Sequence, residues 1–106
     1  MTIILTENFK AEAKHLIKKY QSLLDEIEEL INSLLKDPKQ GEPLGKDCYK
    51  IRLAIKSKGK GKSGGAHIIT CVKIIDANVY LLTIYDKSEK ENISSKELKE
   101  LLSNLF

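Results

Sequence analysis

Apolar residues in the first third of the chain fall at Phe9, Ala13, Leu16, Ile17, Tyr20, Leu23, Leu24, Ile27, Leu30, Ile31, Leu34 and Leu35. This spacing of three and four is that of an amphipathic helix. One unbroken helix would hold 27 residues, against a typical length of about 11–12. Ser22 followed by Asp25 resembles a capping box and acids crowd the next turn, so a break is expected near Gln21-Ser22. The result is a helix pair, with a single coiled-coil helix as the alternative. Ile3-Ile4-Leu5 reads as a small strand before it, and Asn8 as the first helix cap. Asp37-Pro38 ends the helical region, and Lys39 to Lys46, with Gly41, Pro43 and Gly45, reads as a loop.

Period-two alternation follows. Tyr49, Ile51, Leu53 and Ile55 alternate with Lys50, Arg52, Ala54 and Lys56, which predicts a strand with one buried and one wet face. Residues 57–65 read as a flexible basic loop. A second strand is expected from Ala66 to Ile75, a turn at Asp76-Ala77-Asn78, and an almost wholly apolar strand from Val79 to Tyr85, central in the sheet. Ser94 or Ser95 caps a last helix bearing Leu98, Leu101, Leu102 and Leu105. The order β-α-α-β-β-β-α predicts a single α+β domain over residues 1–106. It is a small antiparallel β-sheet with two N-terminal helices packed on one face and a C-terminal helix, all on one side.

A chain of 106 residues excludes large barrels and two-domain enzymes. At 42% hydrophobic and 31% charged residues it has the composition of a folded protein. No apolar run approaches the roughly 18–20 residues that span a bilayer. The start, Met1-Thr2-Ile3-Ile4-Leu5-Thr6-Glu7, has no basic, then apolar, signal pattern, and a cytoplasmic protein without a membrane partner is expected. Cys48 and Cys71 form no Cys-x-x-Cys pair. In a reducing compartment they read as buried thiols rather than a disulfide or a metal pair.

Charge changes the picture once it is mapped. The net charge is only +3. Residues 46–73, however, carry Lys46, Lys50, Arg52, Lys56, Lys58, Lys60, Lys62 and Lys73 against Asp47 alone, a local excess of +7 in a mildly acidic body. Such a segment points to a polyanionic partner. Strand phase puts Arg52, Lys56, His67, Lys73 and Tyr85 on one sheet face if no bulge intervenes, with Tyr80, Leu82 and Ile84 on the other. Cations stabilise the charge of a phosphorane-like transition state, and an imidazole or phenol moves protons, so this set suits phosphodiester cleavage. Taken singly, His67 reads more readily as a structural histidine, Tyr85 equally well as a packed strand residue, and His15 as surface. Gly61-Lys62-Ser63 ends like a phosphate-binding loop, but position 56 is Lys where the first glycine belongs. No zinc-ligand spacing is present, and no cofactor is expected. The one aromatic of the basic segment, Tyr49, lies on the apolar face and gives no base-stacking platform.

Three segments together resemble a known family. Tyr49-Lys50-Ile51-Arg52-Leu53-Ala54, then Lys58-Gly59-Lys60-Gly61-Lys62-Ser63-Gly64-Gly65-Ala66, then Tyr80-Leu81-Leu82-Thr83-Ile84-Tyr85-Asp86-Lys87 are similar to the HigB-like branch of the RelE/ParE toxin superfamily. The lysine-glycine loop is the specific part, and the resemblance covers nearly the whole chain. It implies a toxin of a bacterial type II toxin–antitoxin module that enters the ribosomal A site and cuts mRNA without a metal. It also implies a cognate antitoxin, often a helix-turn-helix protein of HigA type, with DNA met only through that antitoxin.

By position, the resemblance makes Lys60 and Lys62 the holders of the scissile phosphate. Arg52 and Lys58 grip neighbouring phosphates, and Tyr85 and Lys87 line the site. Lys56 and Lys73 join the RNA-binding set on strand phase. Relatives carry an arginine, treated as catalytic, where this chain has His67. Imidazole is shorter and makes no bidentate clamp. His67 is either a working substitute or the mark of an attenuated toxin, natural or engineered, and attenuation is the favoured reading. A gyrase inhibitor of ParE type and a non-catalytic module that binds antitoxin or RNA are the alternatives. The dense lysine loop argues against the first of these.

Overall fold

The computed structural model describes residues 1–58, 65–90 and 92–105. In chain order the elements are β1 (Thr2–Leu5), α1 (Glu7–Lys19), α2 (Leu23–Lys36), β2 (Glu42–Gly45), β3 (Cys48–Leu53), a 3-10 turn (Lys56–Lys58), β4 (Ala66–Lys73), β5 (Asn78–Asp86) and α3 (Ser95–Ser103). The five strands form one sheet in the order β1-β5-β4-β3-β2.

The helix pair forms as the pattern predicts, with different caps. Thr6, not Asn8, caps α1: its Oγ1 accepts from the Phe9 N–H at 3.2 Å and donates to the Leu81 carbonyl at 2.9 Å. Asn8 instead donates from Nδ2 to the Leu82 carbonyl at 3.0 Å. Ser22 makes no side-chain cap on α2. Its hydroxyl donates to Glu26 Oε1 at 3.0 Å and accepts from the Ser57 N–H at 2.9 Å. On α3, Ser94 and Glu97 form the full reciprocal capping box.

Three expectations about the sheet are corrected. It is mixed, because β1 pairs parallel to β5. The segment expected as a loop contains β2, which pairs antiparallel with β3. Lys46 and Asp47, both at positive φ, make the two-residue turn between them. Gly41 allows the approach: a Cβ there would lie 2.6 Å from the Lys50 carbonyl oxygen, at φ +105°. Finally, the helices cover both faces. The α1–α2 pair packs Phe9, Leu16, Leu23, Ile27, Leu30 and Leu34 onto Ile51, Ile68, Val72, Val79, Leu81 and Ile84. The opposite face, with Cys48, Ile69, Cys71, Leu82 and Tyr85, is covered by Leu98 of α3. β4 is apolar on both alternations, and such a strand must be buried on both sides.

β5 also breaks its own alternation. Ile69 stands opposite Thr83 and Thr70 opposite Leu81, which leaves Leu82 unmatched as a β-bulge. Val79, Leu81 and Ile84 therefore share the helix-pair face, whereas Tyr80, Leu82 and Tyr85 face α3. The expected grouping of Tyr80, Leu82 and Ile84 fails for this reason.

Glu26 of α2 is a buried acid, 5% exposed. Its Oε2 accepts from the Lys56 N–H at 2.8 Å, and this bond fastens the end of the β3 segment to the helix pair. Removing the acceptor takes away the carboxylate that holds this part-buried N–H and the Ser22 hydroxyl, and a hydrogen bond to such a group is typically worth about 1.5–3 kcal/mol. Glu26→Ala is expected to lower stability by about 2–3 kcal/mol in urea unfolding, and Glu26→Gln, which keeps one acceptor, by about half as much.

Candidate functional site

Register places the candidate residues in a row. Arg52 of β3 is the partner of His67 on β4, and His67 is the partner of Tyr85 on β5. The rings of His67 and Tyr85 meet edge to face, with centroids 5.4 Å apart and planes at 85°. Arg52 is exposed, whereas His67 and Tyr85 are 5% and 8% exposed.

A cleft of about 490 Å³ opens over one end of this row, lined by Gly41, Glu42, Lys50, Arg52, His67, Lys87 and Asn92. Lys50 Nζ is held by Glu42 Oε2 at 3.1 Å and by Asn92 Oδ1 at 3.0 Å, so one of its three cations is already paired. Arg52 and Lys87 complete a positive wall of the kind that grips a phosphate backbone. Lys87 is positioned by its backbone: its N–H donates to the Gly65 carbonyl at 3.1 Å. Gly65 in turn leaves no room for a side chain, since a Cβ would lie 2.6 Å from the Leu53 carbonyl oxygen. Beside Lys87, Asp86 is 1% exposed. It accepts from the Tyr20 hydroxyl at 2.7 Å and, on its other oxygen, from the Ser88 N–H at 2.9 Å and hydroxyl at 2.8 Å.

The remaining candidates lie elsewhere. Lys60 and Lys62 fall outside the described residues. β3 ends at Leu53, so Lys56 sits exposed on the 3-10 turn with Lys58, not on the strand face expected for it. Lys73 pairs with Asn78 at the other end of β4, six residues and about 20 Å from His67. Tyr85 shares the sheet face with His67 but lines a different, acidic cleft of about 470 Å³ that includes Glu12, Glu89, Lys90, Glu97 and Glu100. Its hydroxyl is buried, with no hydrogen-bond partner among the described residues. Lys90 lies 5.1 Å from the ring centroid and is ion-paired with Glu97. Burial and the Glu97 charge push the Tyr85 phenol above its ordinary pKa, so at neutral pH it keeps its proton. Sequence reasoning missed Glu42, Lys50 and Asn92 as lining residues. Lys50 shares the phase of Arg52 and was within reach of the pattern; the other two sit on segments that carry no periodic signal. Among the described residues no cluster of His, Cys, Asp and Glu is placed to hold a metal ion, and no helix is long and apolar enough to cross a membrane.

These features define an α+β domain with a cationic cleft whose Lys87 is held at Gly65, where the chain re-enters the sheet. Residues 1–104 match the model of the RelE toxin of the RelE/RelB toxin–antitoxin system, and the chain belongs to that family. It is thus a toxin-family protein of a toxin–antitoxin system, and the family implies a cognate antitoxin. The match does not distinguish a HigB-like branch within the superfamily. The fold is similar to that of a doubly substituted mutant of the Escherichia coli toxin RelE in the free state, with a TM-score of 0.64 at 17% identity, over 99% of this chain and 97% of that one. At that identity the likeness speaks to the fold alone.

The raised Tyr85 pKa has a signed consequence. The folded chain keeps a proton that the unfolded chain releases near pH 10, so the contribution is whole below that pH and is lost as pH rises through the folded value. Stability is expected to fall more steeply above pH 10 in the wild type than in Tyr85→Phe, measured by urea unfolding from pH 8 to 11.

Proposed function

We propose that the chain is a ribosome-dependent, metal-independent mRNA endonuclease of the HigB-like kind, weakened by His67. The observation that carries this reading is the convergence of Arg52, His67 and Lys87 on one cleft, where the lysine loop re-enters the sheet at Gly65. In this reading Arg52, Lys58 and Lys87 grip the mRNA backbone, and Lys60 and Lys62 hold the scissile phosphate. The substrate's 2′-hydroxyl attacks the adjacent phosphorus, and the bond to the 5′-oxygen breaks to leave a 5′-hydroxyl product. The cations offset the charge that builds on the phosphoryl oxygens.

His67 faces the cleft with a short side chain, packed edge-on against Tyr85. It supplies no second fork of donors beside Arg52, and a missing preorganised donor typically costs about a hundred- to a thousandfold in rate. Tyr85, with its hydroxyl covered beneath α3, acts as a positioning residue that backs the imidazole. Lys56 and Lys73, away from the cleft, serve as outer contacts to the ribosome or mRNA, and the antitoxin of HigA type covers or distorts the lysine face.

Primer extension on translated mRNA, at matched expression and alongside growth arrest, tests the assignment. His67→Arg is expected to raise cleavage by about a hundredfold or more, and His67→Ala to change it little. If the arginine variant is no more active and the alanine variant loses activity, His67 is itself the catalyst and attenuation is wrong. Lys58→Ala/Lys60→Ala/Lys62→Ala is expected to weaken ribosome or RNA binding and to flatten its salt dependence by about one contact's slope per lysine. An unchanged slope would leave the loop as solvated surface.

A further inference from the structure

The two cysteines, set far apart in the sequence, are direct neighbours in the sheet. Cys48 on β3 and Cys71 on β4 are register partners. The Val72 N–H donates to the Asp47 carbonyl at 2.9 Å, one residue outside them. That bond makes Cys48 and Cys71 a non-hydrogen-bonded pair, the kind in which facing side chains stand closest, with Cα atoms about 4.5 Å apart. A disulfide requires a Cα separation of about 4.4–6.8 Å. Both side chains point to the α3 face, are essentially buried, and carry free thiols in this structure.

We propose that Cys48 and Cys71 are a reversible oxidation site, closing a cross-strand disulfide by exchange with a low-molecular-weight disulfide such as glutathione disulfide. The bond would clasp residues 48–71, and so the whole lysine segment from Lys50 to Lys62, into one covalent loop.

The two thiols have different tasks. The Cys48 thiol and the Lys73 cation favour the thiolate of Cys71, whose pKa is lowered to about 7, while the same contact and burial push Cys48 up. Cys71 is therefore the attacking sulfur. Its thiolate attacks one sulfur of the small disulfide, forms a mixed disulfide and expels one thiolate, which takes up the proton Cys71 has lost. Cys48 then gives up its proton, and its sulfur attacks Cys71 Sγ and expels the second small thiol. Two protein thiols and one disulfide become one protein disulfide and two small thiols, a two-electron exchange. Cys48 and Cys71 are 1% and 0% exposed, so the exchange passes through a local opening of the sheet edge, where β2 is only four residues long.

The folded chain is equilibrated in glutathione buffers from reducing to oxidising, quenched in acid, and read by intact mass and non-reducing peptide mapping. The expected result is a loss of about 2 Da, a linked peptide pair joining Cys48 to Cys71, and full reversal by dithiothreitol. Cys48→Ser is expected to stop at one glutathione on Cys71, and Cys71→Ser to remain unmodified over the same interval. Alanine variants replace the serine ones if circular dichroism shows that serine disturbs the fold. Amides of β3 in the oxidised protein are expected to exchange about tenfold more slowly with deuterium. A dithiol mass that persists in the most oxidising buffer, intermolecular dimers, or glutathione on both cysteines would overturn the proposal.

Discussion

Between Leu81 and Thr83, β5 carries one residue more than β4 can match, and that surplus sets the facing of everything downstream. Before it, Val79 and Leu81 point to the helix pair; after it, Ile84 does. Unbroken alternation from Leu81 would send Thr83 and Tyr85 into the helix-pair core and turn Ile84 toward α3. The bulge instead brings Tyr85 opposite His67 and lets Ile68 and Ile84 meet as partners within the apolar layer. The pairing of Tyr85 with His67, and of Ile84 with Ile68, exists because of one unpaired leucine.

The cationic segment hangs from two buried acids. Glu26 of α2 holds the Lys56 N–H at the point where the chain leaves the sheet. Asp86, at the end of β5, organises the turn beside Lys87, whose N–H meets the Gly65 carbonyl where the chain returns. Tyr20 of the helix pair reaches the same Asp86. Glu26 thus ties the start of this segment to the helix pair through a backbone hydrogen bond to a carboxylate, which is stronger than a neutral one, whereas the return is held by the Lys87–Gly65 bond beside the turn that Asp86 orders. The geometry of the cleft depends in this way on the packing of α1 and α2, which contribute none of its lining residues.

The helices were the most legible part of the sequence, because Phe9 through Leu35 repeat one apolar stripe long enough to outweigh local ambiguity. Ser94 or Ser95, read as the cap, likewise announced the last helix, and the structure assigns the cap to Ser94. β2 was hidden, since Gly41, Pro43 and Gly45 signal a loop and its pairing with β3 is a tertiary fact. The bulge at Leu82 left no mark in a run of apolar residues, so the phase that placed Tyr85 correctly beside His67 misplaced Tyr80 and Leu82. Placing α3 on the opposite face required reading β4 as apolar on both alternations, which Ile68-Ile69 and Cys71-Val72 do encode. Lys56 was assigned to the strand by its alternation, but β3 stops at Leu53. Lys73 shares the phase of His67 and differs only in position along the strand, a distance that phase alone does not weigh.

In the proposed function a nucleic-acid backbone lies in the cleft around Arg52, His67 and Lys87. Amide chemical-shift mapping, with a short RNA blocked by 2′-deoxy substitution and titrated at low and raised salt, tests it most directly. The expected shifts concentrate at Arg52, Gly65, His67 and Lys87 and weaken with salt, while the outer faces of α1 and α2 stay unchanged. Shifts confined to the helix pair, or none at the cleft under either salt condition, would contradict it.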